Sequence, residues 1–287
     1  MNFDSRRAFI QRLTRFAGAP LLCGGGAIGY GSVLERHRVR VETHQVRLAL
    51  GDDGPRQFRA VALSDFHYDP LHEADYVARC VDLANGLKPD VVFLTGDYVT
   101  GSSERAGEFA GLLARMKPRH GIFACLGNHD HWSGAARVAG ALKSAGIEVL
   151  VNRHTRVQCG GGELVVAGLQ SVWGGMPSWE QASRGLRRHE RAVVLMHEPD
   201  FARTLSQDRR AAFQVSGHTH GGQVRLPWLG ALRLPSWGRL FQAGFYDVDG
   251  LSLHVSRGIG TISYHVRLFC PQEITCFDIS NTGAARV

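Results

Sequence analysis

From about residue 56 onward, short apolar, β-rich runs alternate with polar clusters, and several clusters lead into segments of helical periodicity. Phe58 to Leu63 ends at Ser64-Asp65-Phe66-His67, and Val91 to Leu94 ends at Gly96-Asp97. Ile122 to Leu126 ends at Gly127-Asn128-His129-Asp130, Val193 to Met196 at His197-Glu198, and Ala212 to Val215 at Gly217-His218-Thr219-His220. Such runs, rich in β-branched and aromatic residues, predict buried strands. Between them Val77, Val81, Ala84 and Leu87 recur at the spacing of one helix face, as do Ala135, Val138, Ala139 and Leu142. Gly146 stands where the second of these helices needs a C-terminal cap. Leu164 to Gly168 and Leu251 to Ser256 add further strands. Strands alternating with helices predict an α/β domain. Without an internal repeat or low-complexity linker, the expectation is one catalytic domain over 56-280, preceded by a separate segment over 1-34.

That first segment reads Ser5-Arg6-Arg7-Ala8-Phe9-Ile10, and then Ala17 to Leu34 without a charged residue. Paired arginines ahead of a weakly apolar, glycine-rich run form the pattern of a twin-arginine export signal. The plainer alternative is a short amphipathic helix packed on the domain. No A-x-A site follows, so the segment can stay as an anchor in the inner membrane, and Leu21-Leu22-Cys23 makes a poor lipobox. The expected location is periplasmic or extracytoplasmic, with the twin-arginine export machinery as a partner. That machinery carries folded proteins, which suits a chain that takes up a cofactor before export.

Composition narrows the picture. With 287 residues, 44% hydrophobic and 21% charged, the chain can bury a core and is not disordered. A mean hydropathy of -0.13 excludes a polytopic membrane protein. The net charge is +7, but Arg6, Arg7, Arg12 and Arg15 against Asp4 put +3 of it in the first segment. The lysines are only Lys88, Lys117 and Lys143, so the remaining excess is an arginine habit. No basic run with interleaved aromatics appears, and nucleic acid is not an expected partner. Beyond Cys23, the cysteines Cys80, Cys125, Cys159, Cys270 and Cys276 lack C-x-x-C spacing and read as buried free thiols.

Five polar clusters at the C-terminal ends of five apolar runs carry the chemistry, because open α/β sheets bind ligands outside those ends. Their donors are carboxylate, amide and imidazole groups, a set that suits manganese, iron or zinc. Asp65 and His67, like His218 and His220, are two residues apart and can straddle two metal positions. The seven donors exceed what one ion with an open position takes. Sharing a carboxylate between two ions resolves this, and Asp97 is the natural bridge. Two-metal sites clamp the attacking and leaving oxygens of an in-line displacement at phosphorus.

The ordered set D-x-H, G-D, G-N-H-D, H and G-H-T-H, from Asp65 to His220, resembles the calcineurin-like metallophosphoesterases. Gly221-Gly222-Gln223-Val224, Ser256-Arg257-Gly258-Ile259-Gly260-Thr261 and Arg267-Leu268 are similar to its bacterial YaeI/YkuE-like branch, which carries twin-arginine signals. The resemblance implies a metallophosphoesterase-type β-sandwich flanked by helices, four layers in the order α/β/β/α. It implies two divalent metal ions (manganese, zinc or iron). One would be held by Asp65, His67, Asp97 and His220, the other by Asp97, Asn128, His197 and His218. A hydroxide between them would attack phosphorus. His129 would stabilise the transition state or protonate the leaving alkoxide, with Asp130 orienting it. The implied activity is that of a phosphodiesterase. Alternatives are a UDP-2,3-diacylglucosamine-type pyrophosphatase acting on a nucleotide-linked lipid, a phosphomonoesterase, or a non-catalytic metal-binding scaffold. Ile262-Ser263-Tyr264-His265-Val266 departs from a usual small, Gly/Pro-containing segment, which bears on the substrate.

Other residues read more plainly. His131, His154, His189, His254 and His265 are surface or packing histidines. Tyr68 and His72 lie near the first metal loop, and Arg225 is either a phosphate contact or a surface arginine. The segment 227-237 is unusually apolar for a loop. It reads first as a hairpin packed on the core, and alternatively as a wall for a lipid-like leaving group or an arginine-rimmed membrane contact.

Overall fold

Fully apolar runs need cover on both faces, and the chain provides it by stacking two sheets between helices. The computed structural model describes Gly26 and residues 29–68 and 74–283. Its first half runs β1 (Arg40–Leu48), β2 (Gln57–Leu63), α1 (Ala74–Gly86), β3 (Val91–Leu94), α2 (Ala106–Leu113), β4 (Gly121–Ala124), α3 (Asn128–Ser144) and β5 (Glu148–Val149). The second half begins with β6 (Arg153–Cys159), β7 (Gly162–Gly168), α4 (Trp179–Ala182), β8 (Ala192–Leu195), α5 (Ala202–Leu205) and β9 (Ala211–Ser216). A two-stranded ribbon follows, β10 (Arg225–Leu226) and β11 (Gly230–Ala231), and then β12 (Gly244–Val248), β13 (Leu251–Val255) and β14 (Glu273–Asn281).

One six-stranded sheet has the order β1-β14-β2-β3-β4-β5, and the other β12-β13-β9-β8-β7-β6. Strands β2 to β5 are parallel neighbours, as are β7, β8, β9 and β13. The register is level: Leu63 lies opposite Leu94, Leu94 opposite Ala124, and Leu195 opposite Val215. Level strand ends put the following loops side by side.

Three apolar layers hold this together. Phe58, Phe93, Phe123, Phe213 and Phe277 fill the space between the sheets, and Phe213 meets Phe277 edge-on at 5.3 Å. Helices α1, α2 and α3 cover one outer face and α4 and α5 the other, so the layers run α/β/β/α. In α1 the buried residues are Tyr76, Val77, Cys80, Val81 and Ala84, one face at helical spacing. Helix α3 breaks at Gly134 (φ 124°), which separates its first turns from the part that packs through Val138 and Leu142. Gly146 (φ 78°) ends it: the Gly146 N–H donates to the Lys143 carbonyl and the Ile147 N–H to that of Leu142. The five described cysteines are free and buried.

Strand β1 lies outside the expected range 56-280 yet is a full member of the first sheet, paired with β14 from Arg40 opposite Glu273 to Leu48 opposite Asn281. It is an edge strand in which only Val46 and Leu48 are buried, so no apolar run announces it. The twin-arginine pattern and most of the segment 1-34 lie outside the described residues. Among the described residues, no helix is long and apolar enough to cross a membrane.

Behind the site, the buried Glu273 carboxylate receives His254 at 3.3 Å and Arg257 at 2.9 Å. Burial opposes its charge, but these two partners hold its carboxyl at about 2 against an ordinary 4.5. A depressed carboxyl adds stability that is complete above the ordinary value and is lost as pH falls through the lowered one. Urea titrations at a series of pH values between about 5 and 2 are therefore expected to show wild type losing more stability than Glu273→Gln. Equal losses in the two proteins would remove this ion pair from the acid response.

Candidate metal centre

The level ends of β2, β3 and β4, with β8 and β9 across the sandwich, bring the five polar clusters to one edge. Backbone bonds join the loops: the Asp65 N–H donates to the Gly96 carbonyl at 2.9 Å, His67 to Asp97 at 3.0 Å and Gly217 to His197 at 3.1 Å. Five of the seven predicted donors, Asp65, His67, Asp97, His218 and His220, have φ between 48° and 74°. Left-handed backbone costs a non-glycine residue about 1–3 kcal/mol, and such strain gathers where geometry serves function. Two glycines admit the carboxylates. A Cβ on Gly127 would lie 2.2 Å from Asp97 Oδ1, and one on Gly217 would lie 2.2 Å from Asp65 Oδ2.

The predicted donors converge in two groups, and His67 and Asp97 also meet His129 in a third. The ligating atoms of Asp65, His67 and His220 lie within 4.8 Å of one another, as do those of Asp97, His197 and His218. His67 Nε2 is 2.9 Å from His220 Nε2, which is 3.5 Å from Asp65 Oδ1. Asp97 Oδ2 lies between the groups, 3.6 Å from His67 Nε2 and 3.2 Å from His197 Nε2. Asn128 Oδ1 is buried with no hydrogen-bond partner among the described residues.

Carbonyl acceptors fix two tautomers. His197 Nδ1–H donates to the Thr95 carbonyl at 2.6 Å, and His218 Nε2–H donates to that of Ser236 at 2.8 Å. His197 therefore turns Nε2 toward a carboxylate oxygen, and His218 keeps Nδ1 for the site. Two lone pairs facing each other repel unless a cation sits between them, and nitrogen and oxygen donors so arranged fit divalent metal ions.

The electrostatics without cations tell the same story. Burial, with the Asp97 charge adding to it, raises the Asp65 carboxyl to about 6. Burial also resists ionisation of Asp97, but His197, His67 and His129 hold it well below the usual carboxylate range. His197 is pulled well above its ordinary value despite burial, by Asp97 and Asp65. Burial and the neighbouring His197 push His218 down to about 4. His220 lies well below its ordinary value, through burial and the nearby His67 and Arg267.

Asp130 has a different task from the expected orientation of the His129 ring. Its Oδ1 accepts the N–H groups of Tyr98 (2.8 Å) and Val99 (3.2 Å), and its Oδ2 those of Asp97 (2.8 Å) and Gly127 (2.9 Å). Those four bonds tie the loop after β3 to the start of α3. The His129 ring is instead set by packing, edge-on to His67 at 4.9 Å and to Trp132 at 4.8 Å, while the His129 backbone N–H donates to Asp97 Oδ1 at 2.8 Å. Burial lowers its pKa, against the pull of Asp97.

A cavity of about 500 Å³ opens beside Asp97, Asn128, His129, His218 and His220, and its walls are Trp132, Trp173, Leu232, Arg233 and Tyr264. The departing segment thus forms a wall, through Ile262, Ser263 and Tyr264. Arg225 is not among the lining residues; its guanidinium donates to the Gly221 carbonyl at 2.8 Å. Tyr68 is buried, with its hydroxyl on Glu108, and His72 lies outside the described residues. His154 donates to the Ala182 carbonyl, and His189 meets Asp53 at 3.0 Å.

Several supporting residues went unassigned in the sequence. Thr100 Oγ1 is 2.6 Å from His67 Nδ1. Arg267, fully buried, donates from Nη2 to the Gly260 carbonyl at 2.6 Å and lies 3.4 Å from His220 Nδ1. Trp132 and Trp173 meet edge-on at 6.0 Å. Arg267 stood in a motif shared with the bacterial branch, and Trp132 had a signal in its position three residues after His129 at the start of a helix.

The chain is 29% identical to the metallophosphoesterase YkuE of Bacillus subtilis, over 97% of this chain and 99% of that one. It is 30% identical to the phosphodiesterase YaeI of Escherichia coli, over 96% and 99% respectively. A Danio rerio transmembrane protein with a metallophosphoesterase domain is 32% identical over 76% of this chain and 52% of its own. The family model of the calcineurin-like phosphoesterases matches residues 58–222, over half of the sequence. The chain belongs to the calcineurin-like phosphoesterase family and is a phosphoric ester hydrolase.

Proposed function

We propose that the chain hydrolyses a phosphodiester using two divalent cations held side by side, drawn from manganese, zinc and iron. Asp97 Oδ2 carries this reading, because one carboxylate oxygen serves both donor groups. Asp65, His67, Asp97 and His220 would hold one ion, and Asp97, Asn128, His197 and His218 the other. When bound, the pair supplies Lewis acidity at the phosphoryl oxygens and lowers the pKa of water toward neutrality. The remaining work falls to the chain. His129 lines the cavity beside both groups, where its imidazole can give a hydrogen bond or a proton to the leaving oxygen. Asp130 is a positioning residue, holding the Asp97 loop through four backbone N–H groups. The Thr95 and Ser236 carbonyls keep His197 and His218 in ligating tautomers.

The apolar walls Trp132, Trp173, Leu232 and Tyr264 favour a second reading within the same chemistry, a pyrophosphatase acting on a nucleotide-linked lipid of the UDP-2,3-diacylglucosamine type. A cavity of about 500 Å³ with apolar walls beside the donors leaves room for more than a bare phosphoryl group, which supports a diester or pyrophosphate over a monoester.

Metal-reconstituted protein offered a diester, a monoester and a nucleotide-lipid pyrophosphate should turn over the diester fastest. A preference for the monoester would end the diesterase reading, and a preference for the pyrophosphate would select the second one. His129→Ala is expected to keep its metal content and lose about 10²–10⁴-fold in kcat, the range for general acid–base groups. Full turnover by that variant would strip His129 of its part. In Asp130→Asn an amide NH₂ must face backbone N–H donors, with a stability loss of about 3 kcal/mol and reduced metal content. Calorimetry and metal analysis read both, whereas a fully loaded, stable variant with lowered kcat would return Asp130 to orienting His129.

A further inference from the structure

Exposed large apolar side chains gather around the mouth of the cavity. At the tip of the β10–β11 hairpin Trp228 is fully exposed and Leu229 is 78% exposed, with Leu232, Trp237 and Leu240 exposed close behind in the chain. On the neighbouring loop Tyr264 and Phe269 are 74% and 60% exposed. This loop is stitched to the hairpin: the Arg225 N–H donates to the Leu268 carbonyl and the Leu268 N–H to that of Gln223. The Arg267 N–H donates to the Gly31 carbonyl, and Val33 and Leu34, two and three residues further along the chain, are exposed. The described end of the uncharged sequence, at Gly31, therefore meets this loop.

Charge singles out the occupant. Residues 209–246 and 250–272 contain no Asp or Glu, and Arg233 and Arg239 are exposed among the apolar side chains; the acid beside Arg239 is Asp200, whose carboxylate is taken up by the backbone N–H groups of Arg239, Leu240 and Phe241. Tryptophan and leucine tips rimmed by arginine match the boundary between headgroups and acyl chains, and each arginine near an anionic leaflet adds attraction. Against a second copy of the chain, a two-fold contact would set these arginines against one another.

We propose that this face docks on an anionic lipid bilayer, with Trp228 and Leu229 entering the interface and the cavity mouth opening at headgroup depth. The proposal does not depend on which ester is cleaved. Full-length protein should co-sediment with phosphatidylglycerol–phosphatidylethanolamine vesicles more than with phosphatidylcholine vesicles, and less as salt is raised. The double variant Trp228→Ser/Leu229→Ser should bind the anionic vesicles about tenfold more weakly, with unchanged hydrolysis of a soluble diester. It carries the same N-terminal segment as wild type, so the difference isolates the hairpin. Brominated lipids should quench the tryptophan fluorescence of wild type more than that of Trp228→Phe. Failure of wild type to bind, or equal binding and equal quenching in wild type and variants, would overturn the proposal. So would a concentration-dependent dimer in sedimentation velocity that the double variant abolishes, which would make a second copy the occupant.

Discussion

The site depends on holding one buried carboxylate still. Asp97 Oδ2 faces a histidine nitrogen from each donor group, while Oδ1 is taken by the His129 N–H at 2.8 Å. Gly127 leaves the carboxylate just enough room, and Asp130 fastens its backbone. Because Asp130 also binds the N–H of Gly127, the loops after β3 and β4 move as one body. His129 and Asn128 start α3 on that body, so a shift of Asp97 would carry the cavity wall and the ligating amide with it.

Such a cluster is uncomfortable without cations. Charged groups are buried stably only when paired, and here carboxylates and imidazoles meet mostly through lone pairs. The displacements are opposed: Asp65 rises to about 6 and His218 falls to about 4, each toward its uncharged form, while Asp97 and His197 shift toward their charged forms as partners. Divalent ions would relieve both. Metal affinity and the stability of these loops are accordingly coupled, since ions that bind the folded site and not the unfolded chain stabilise the fold.

What could be read from the sequence follows the same physics. Strands buried on both faces show as apolar runs, and β3 and β8 are buried at every position. Donors at strand ends show because polar residues abut those runs. The edge strand β1 did not show, since solvent on one side lets glutamate, threonine, histidine and arginine alternate along it. The task of Asp130 was hidden for another reason: a side chain that accepts backbone N–H groups from a different loop leaves no periodic trace. Left-handed backbone was equally hidden, because aspartate and histidine rather than glycine carry it.

The basic excess acquires a location through this structure. Arg59, Arg105, Arg156, Arg187 and Arg210 each sit against a carboxylate, on parts of the molecule that carry both signs. Arg225, Arg233 and Arg239 enter none of these ion pairs, and the acid nearest them, Asp200, gives its carboxylate to the backbone N–H groups of residues 239 to 241. Net positive charge is thus expressed at the cavity mouth, where Arg233 is also a lining residue. An anionic phosphoester approaching there meets favourable potential before it reaches the donor groups, and focusing by a low-dielectric wall strengthens that pull. The apolar wall and Arg233 therefore stand together at one opening, on the side from which an anionic ester would approach Asp97.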